Sequence, residues 1–191
     1  MGKSGQQFLG SDTHANAQWL NYKLARDVQS DIQVRKTLSR EAKHFLILSR
    51  HLKPGTGWME HVEIDMVPRC DDGSLPPNSP LVEWSKLLLE ATARHGKPIA
   101  YNTQTKAMLE AQGFTEINEQ ILKIPVNAWS SDSHQKEIGR WYQLGLTQGF
   151  EALTMGPFTR MLGWKKTDVD RLVAECKREI CFKRIHAYCN M

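Results

Sequence analysis

The chain has 191 residues, of which 40% are hydrophobic and 24% are charged, and its net charge is +4. This composition is ordinary for a folded domain and argues against intrinsic disorder. Lys and Arg do not gather into a stripe, so nucleic acid is not an expected partner. No apolar run reaches the roughly 20 residues that a transmembrane helix needs, and the N-terminus lacks the apolar core of a signal peptide. We therefore expect a cytoplasmic or nuclear protein without a membrane partner.

The cysteines and histidines do not have the spacing of a metal site. Four cysteines are present, and His186 lies between Cys181 and Cys189. Structural zinc sites usually contain paired C-x-x-C knuckles, and this chain has none. We expect reduced thiols and no bound metal.

Apolar residues in the N-terminal part recur every four positions, which favours one or two helices between residues 15 and 38. These residues are Leu20, Leu24, Val28 and Ile32. We predict that residues 1–41 form a helical segment of their own, ahead of a domain at 42–191.

A helix, a tight turn and a strand come next. Apolar residues at helical spacing lead up to Leu52, and Pro54 cannot continue a helix, while Gly55 tolerates a positive φ. After the turn, alternation predicts a strand from Trp58 to Met66. One face of it carries Trp58, Glu60, Val62, Ile64 and Met66, and the other carries Met59, His61, Glu63 and Asp65.

The second half of the chain alternates between helices and strands. Ser79 is placed to cap a helix whose first residue is Pro80, and a second helix ends at Gly113. A strand over 114–126 changes its apolar phase near Ile121, which indicates a bulge.

The last third begins with a long helical stretch. Asp132 or Ser133 caps this stretch, and we expect the Gly156-Pro157 pair to interrupt it. Thr167 and Asp170 have the spacing of a capping pair. The final helix and strand are expected at 168–183 and 184–188.

Four stretches carry a family resemblance. They are residues 57–61 (GWMEH), 70–77 (CDDGSLPP), 162–164 (LGW) and 185–188 (IHAY). In this order they resemble the C-terminal, acceptor-side portion of LaeA-like class I S-adenosylmethionine-dependent methyltransferases of fungal secondary metabolism. The resemblance runs from about residue 42 to the end and leaves residues 1–41 without a counterpart.

The resemblance implies an α/β fold, namely part of a Rossmann-like methyltransferase domain. It implies a small mixed sheet flanked by helices, with three strands in the family order five-seven-six. The cofactor-binding half is missing, because the only G-x-G, at residues 55–57, precedes a strand instead of following one. S-adenosylmethionine is thus implied by the resemblance alone, and we expect this chain not to bind it.

Three polar residues on the central strand are candidates for catalysis. His61, Glu63 and Asp65 share one face and approach the carboxyl end of the strand, where α/β sheets bind ligands. A histidine beside carboxylates can act as a general base towards an acceptor hydroxyl. The same pattern is also typical of the polar face of a half-exposed strand.

Aromatic residues in the long helix are candidates for substrate binding. By resemblance, the segment carrying Trp141, Tyr142 and Phe150 covers the acceptor pocket. Aromatic residues at helical spacing are also typical of a buried core, and this alternative is the more frequent one.

Together these features predict a truncated, methyltransferase-like protein of fungal secondary metabolism, which could be inactive alone. Its partner would be a small-molecule natural product. Two other hypotheses remain: a non-catalytic interaction module whose exposed strand edge is covered by a protein partner, and a small-molecule binding protein that does not methylate.

Overall fold

The computed structural model of the protein describes residues 19–24 and 40–191. Five strands and five helices lie in these ranges. The strands are β1 (Trp19–Leu24), β2 (Trp58–Val62), β3 (Phe114–Gln120), β4 (Lys123–Pro125) and β5 (Tyr188–Asn190). The helices are α1 (Arg40–Ser49), α2 (Pro80–Arg94), α3 (Thr105–Ala111), α4 (Ser133–Met161) and α5 (Lys166–Glu179). Within the described ranges, no helix has the length and apolar character needed to cross a membrane.

Two helix starts follow the capping chemistry predicted from the sequence. Ser79 is extended, and its side chain accepts a hydrogen bond from the backbone N–H of Val82, with Pro80 at the first helical position. Asp132 accepts from the N–H of Gln135 at 2.7 Å and so begins α4. In each case a side-chain oxygen satisfies a backbone donor that the helix leaves unpaired.

Two other helix predictions were wrong. The Gly156-Pro157 pair does not interrupt α4, because Pro157 lies inside the helix. Phe150 and Phe158 are both fully buried, and this packing holds the helix on the two sides of the proline. The predicted cap at Thr167 also fails, since α5 begins at Lys166 without a side-chain cap.

The N-terminal strand β1 lies at the centre of a three-stranded sheet of order β2-β1-β3. It runs antiparallel to both neighbours, with Trp19 opposite Val62 on one side and opposite Gln120 on the other. The helix predicted for this part of residues 1–41 is therefore wrong. Pairing with two strands outweighs a four-residue repeat, because β1 has five paired positions with each neighbour. Apart from α1, the rest of the predicted segment lies outside the described residues.

A second, shorter sheet contains β4 and β5 in antiparallel pairing. The backbone of residues 187–191 bonds to residues 122–126 on one side and to Asp65 and Arg69 on the other. The predicted single sheet of order five-seven-six was wrong, because the C-terminal strand pairs with β4 in a sheet of its own and reaches the segment after β2 through an isolated bridge and not a ladder. The strand itself begins at Tyr188, later than the predicted 184–188. The predicted irregularity near Ile121 is a division into two strands and not a bulge within one strand, since β3 ends at Gln120 and β4 begins at Lys123.

Two hydrophobic clusters hold these elements. The larger one joins α2, α4 and α5 with the end of the chain, and includes Trp84, Leu88, Phe150, Phe158, Val173 and Ile185. The smaller one lies under the three-stranded sheet and is built on Phe45, Leu109 and Phe114. The fold is thus a mixed α/β arrangement with small open sheets and flanking helices.

Candidate functional site

Of the three predicted catalytic residues, His61 and Glu63 lie in contact, and Asp65 has other partners. Nε2 of His61 lies 3.3 Å from Oε1 of Glu63. The His61 ring also packs edge-on against Phe45, with 5.5 Å between the ring centroids. Met59, on the same side, packs on the smaller cluster. The face that the sequence pattern presents as polar therefore lies against α1, whereas Trp58 and Val62 are 52% and 44% exposed.

Asp65 has a structural environment of its own. It is 6% exposed, and one carboxylate oxygen lies 2.5 Å from Nη1 of Arg69. The other oxygen accepts from the backbone N–H groups of Val67 and Asn190, at 3.1 and 3.2 Å. These contacts tie the end of β2 to β5. A catalytic role for His61, Glu63 and Asp65 stays a prediction.

The predicted substrate-binding aromatic residues have three different environments. Trp141 is 66% exposed, and Phe150 is fully buried, edge-on to Trp84 with 4.8 Å between the centroids. The hydroxyl of Tyr142 faces the sulfur of Met66 at 3.8 Å, and burial raises the pKa of this phenol far above its usual range. The role of these three side chains in substrate binding also stays a prediction.

A cavity of about 340 Å³ lies where the loop after β2 meets β4, the end of the chain and the start of α4. We call it the carboxylate pocket. Its lining combines two carboxylates, one amine and three ring systems. The lining residues are Asp71, Asp72, Lys123, Pro125, Trp129, Ser130, Gln135, His186 and Tyr188.

Asp72 and His186 form the first polar pair of the pocket. Oδ2 of Asp72 lies 2.5 Å from Nδ1 of His186. The second oxygen of Asp72 accepts from the Cys70 thiol at 2.9 Å and from the Ser74 N–H at 3.0 Å. The hydrogen bond from Cys70, followed by those from Ser74 and His186, holds the pKa of this carboxyl well below its usual range. Asp72 is therefore a stable anion that orients the imidazole.

Asp71, Lys123 and Tyr188 form the second polar group. Asp71 accepts from Nζ of Lys123 at 2.5 Å and from the Tyr188 hydroxyl at 2.7 Å. The hydrogen bond from Lys123, then that from Tyr188, lowers the pKa of Asp71. Nζ of Lys123 also lies 4.5 Å from the centre of the Tyr188 ring. The ammonium group is thus held between an anion and an aromatic face.

Trp129 supplies an aromatic wall of the pocket. Its ring stacks on His186 with 4.9 Å between the centroids and 30° between the planes, and its indole N–H donates to the Ala187 carbonyl at 2.8 Å. The loop that carries Trp129 lies tightly against α4. A Cβ added at Gly139 would come within 2.2 Å of the Asn127 carbonyl oxygen, so only glycine permits this approach.

The arrangement can bind and orient a ligand. Because a carboxylate can only accept, Nδ1 of His186 donates to Asp72, and in the neutral ring Nε2 carries the lone pair. That nitrogen can accept a hydrogen bond or a proton. Aromatic ring faces can contact a cation or a polarisable sulfur, and Lys123 already makes such a contact with the Tyr188 ring. Of the two carboxylates, Asp71 is paired with Lys123, so the excess negative charge lies at Asp72.

None of the residues of the carboxylate pocket is among the site residues that we predicted from the sequence. Asp71 and Asp72 lie in the 70–77 stretch, and His186 and Tyr188 lie in the 185–188 stretch. Acidic and imidazole side chains inside two family-like stretches were a usable signal. Lys123 and Trp129 gave no comparable signal, because nothing local connects them to either stretch.

The described residues do not fit the methyl donor that the resemblance implies. A Cβ at Gly57 would come within 2.8 Å of the Lys53 backbone nitrogen, so the turn packs on its own chain at this position. The turn also precedes β2, whereas a cofactor-binding glycine turn follows a strand. Glu63 and Asp65, the carboxylates after this turn, are engaged by His61 and Arg69. In the described ranges, no group of three or more His, Cys, Asp or Glu residues is placed to hold a metal ion.

Several curated fungal proteins are similar to this chain. A secondary metabolism regulator LAE1 of Cochliobolus heterostrophus is 53% identical over 142 residues, which are 74% of this chain and 46% of the relative. A LAE1 regulator of Gibberella fujikuroi is 41% identical over 142 residues, covering 74% of this chain and 45% of that protein. A protein-methionine methyltransferase laeA of Chaetomium globosum is 40% identical over 142 residues, again 74% of this chain, and 44% of that protein.

The chain therefore spans about half the length of the curated relatives it matches. No family model matches it, and no solved structure matches it either.

Proposed function

We propose that this chain, which is 53% identical over 142 residues to a LAE1 secondary metabolism regulator, is a member of the LaeA/LAE1 family and acts as a methyltransferase-like regulator of fungal secondary metabolism. We propose further that the described part binds the acceptor, and that the carboxylate pocket is where it does so. Binding and orientation are the tasks that we assign to these residues.

One observation carries this proposal. The 70–77 and 185–188 stretches are separated by more than a hundred residues, yet both contribute side chains to the same pocket. Asp72 and His186, which meet there, lie 114 positions apart. Separate chain segments that converge on one concave site with few polar groups are typical of a ligand site.

The chemistry of the pocket favours an acceptor that carries a thioether or a positive charge. Sulfur and cations bind to ring faces such as those of Trp129 and Tyr188. Methylation of a thioether yields a sulfonium cation without releasing a proton, and Asp71 and Asp72 would stabilise that charge. The name of the Chaetomium relative, a protein-methionine methyltransferase, is consistent with a methionine side chain as acceptor.

S-adenosylmethionine would supply the methyl group in a complete enzyme of this type. The 55–57 turn precedes a strand instead of following one, so we assign no step of transfer to the described residues. A protein segment and a small natural product both remain acceptors that the pocket could hold, provided that they present sulfur or a cation.

The experiment compares three short peptides that differ in one residue: methionine, S-methylmethionine or norleucine. Binding is followed by the indole N–H resonance of Trp129 in the full chain. We expect the sulfonium peptide to bind most tightly and norleucine most weakly. Asp71→Asn should lower the affinity for the sulfonium peptide by about tenfold, since a charge-assisted contact of this kind contributes on the order of 1–2 kcal/mol.

The matched control is Asp170→Asn. Asp170 is also an exposed carboxylate that lies 2.5 Å from a lysine, Lys166, but it lies on α5 away from the pocket. It should leave all three affinities unchanged. Equal binding of the three peptides, or equal effects of the two substitutions, would remove the pocket as the acceptor site.

A second candidate function, a non-catalytic interaction module, rests on β2. This strand is at the edge of its sheet, and Trp58 and Val62 are half exposed on it. Exposed edges with apolar side chains pair with other chains. If β2 is an interaction edge, Val62→Lys should reduce concentration-dependent association in sedimentation velocity. Unchanged association would count against this function.

A further inference from the structure

The two halves of the central strand come from opposite ends of the sequence. In the short sheet, Leu122 exchanges two backbone hydrogen bonds with Met191, each of 2.9 Å. In the long sheet, Gln120 pairs with Trp19. Only Ile121 lies between those two positions of the neighbouring chain, so β1 begins about one residue beyond the point where β5 ends.

The direction of the two segments is the same. β5 runs antiparallel to β4, and β1 runs antiparallel to β3. On the opposite side, Asp65 bonds to Asn190 and Val62 pairs with Trp19. Residues 187–191 and 19–24 therefore form one broken central strand between the same two neighbours.

β1 fills the space between β2 and β3, which we call the gap. β2 and β3 each run antiparallel to β1, so they are parallel to one another and share no ladder. β1 has five paired positions with each of them. Met191 lies at one end of the gap, beside Leu122.

We propose that this gap is a binding site for an extended peptide strand, and that residues 19–24 occupy it as a separable ligand. The site requires a segment of six residues that runs in the direction of β5. It also requires a backbone N–H at each paired position, because a strand with two neighbours cannot tolerate proline. Residues 19–24 contain no proline.

The first experiment supplies the strand in trans. In the full chain, Asn21→Pro should empty the gap, whereas the matched variant Asn21→Ala keeps its N–H and should not. A fluorescent peptide with the sequence of residues 17–26 is then titrated by anisotropy. We expect the Asn21→Pro chain to bind it and the Asn21→Ala chain to bind at least about tenfold more weakly. A peptide that itself carries Asn21→Pro should bind neither chain. No binding of the unsubstituted peptide by the Asn21→Pro chain would overturn the proposal.

The second experiment tests whether residues 19–24 continue the line of β5. It remains informative if the Asn21→Pro chain does not fold. A permuted chain begins at residue 25 and continues from Met191 through a two-residue linker into residues 19–24. We expect slow hydrogen exchange in the moved strand, in β2 and in β3, as in the parent. Fast exchange in all three, with α2 and α4 still protected, would show that the strand does not belong there. A permuted chain with Asn21→Pro is the control and should exchange fast.

Discussion

Asp72 and His186 share a hydrogen bond of 2.5 Å although 114 positions separate them in the sequence. This contact joins the loop after β2 to the end of the chain. A second bond strengthens the junction, since the His186 backbone N–H donates to the Ser74 hydroxyl at 2.8 Å. The shape of the carboxylate pocket therefore depends on a junction that two hydrogen bonds maintain.

We expect Asp72→Asn to lower the melting temperature in a pH-dependent way. The pKa of Asp72 is lowered from its ordinary value of 3.8, so its anionic contacts stabilise the fold fully above that pH. Their contribution is lost as the pH falls towards the folded-state pKa. The difference between the parent and the variant should be largest at neutral pH and should shrink below about pH 4. Calorimetric scans at a series of pH values measure it. Asp170→Asn is the control, and the prediction fails if both variants give the same profile.

Two glycines of α4 should respond to alanine with opposite signs. At Gly139 the new methyl would come within 2.2 Å of the Asn127 carbonyl oxygen, and this backbone cannot move aside easily. We expect Gly139→Ala to lower the free energy of unfolding by about 1–3 kcal/mol. At Gly145 nothing lies within 4 Å, and alanine should add about 0.5–1 kcal/mol through helix propensity. Urea unfolding gives both values. If Gly145→Ala destabilises the protein as much as Gly139→Ala does, the clash with the Asn127 carbonyl oxygen does not explain the loss at Gly139. The close approach of α4 to this loop would then need revision.

Glu179 connects the end of α5 to the start of α2. One of its oxygens accepts from the Ser79 hydroxyl at 2.5 Å and from the Leu81 N–H at 3.0 Å, and the residue is buried. A carboxylate at a helix N-terminus also interacts favourably with the helix dipole. Glu179→Gln should therefore destabilise the protein by about 1–2 kcal/mol in urea unfolding. Glu151→Gln, at an exposed ion pair with Lys177, should change stability by less than about 0.5 kcal/mol.

The purified chain should not bind S-adenosylmethionine. The 55–57 turn packs against Lys53 at Gly57 and precedes β2, whereas a cofactor-binding glycine turn follows a strand. Isothermal titration should give only heats of dilution, while an intact methyltransferase titrated with the same cofactor solution serves as the positive control. Micromolar binding would contradict the prediction and would restore an enzymatic function to this chain.

Local chemistry made part of the fold predictable. Ser79 and Asp132 begin their helices as expected, because capping depends on residues only three positions away. The irregularity near Ile121 was visible for the same reason. Pro157 was misread, since buried aromatic residues on both sides of it hold the helix together, and distant packing leaves no local sign.

Long-range relationships were the part that the sequence could not reveal. β1 was predicted as helix because Leu20 and Leu24 fit a four-residue repeat, and its pairing with β2 and β3 depends on residues far away in the chain. The faces of β2 were interpreted in reverse, because α1 covers His61 and not Val62. The pocket was missed as a site because its two family-like stretches meet only after folding.

The separation of the two hydrophobic clusters bears on cooperativity. The cluster of Phe45, Leu109 and Phe114 has no member in common with the larger cluster around Trp84 and Phe158. A domain with two such cores can lose one before the other. Its van't Hoff enthalpy of unfolding would then fall below the calorimetric enthalpy. The sheet that contains β1 would open while the carboxylate pocket is still assembled, so that ligand binding at the pocket would outlast the first heat-absorption peak.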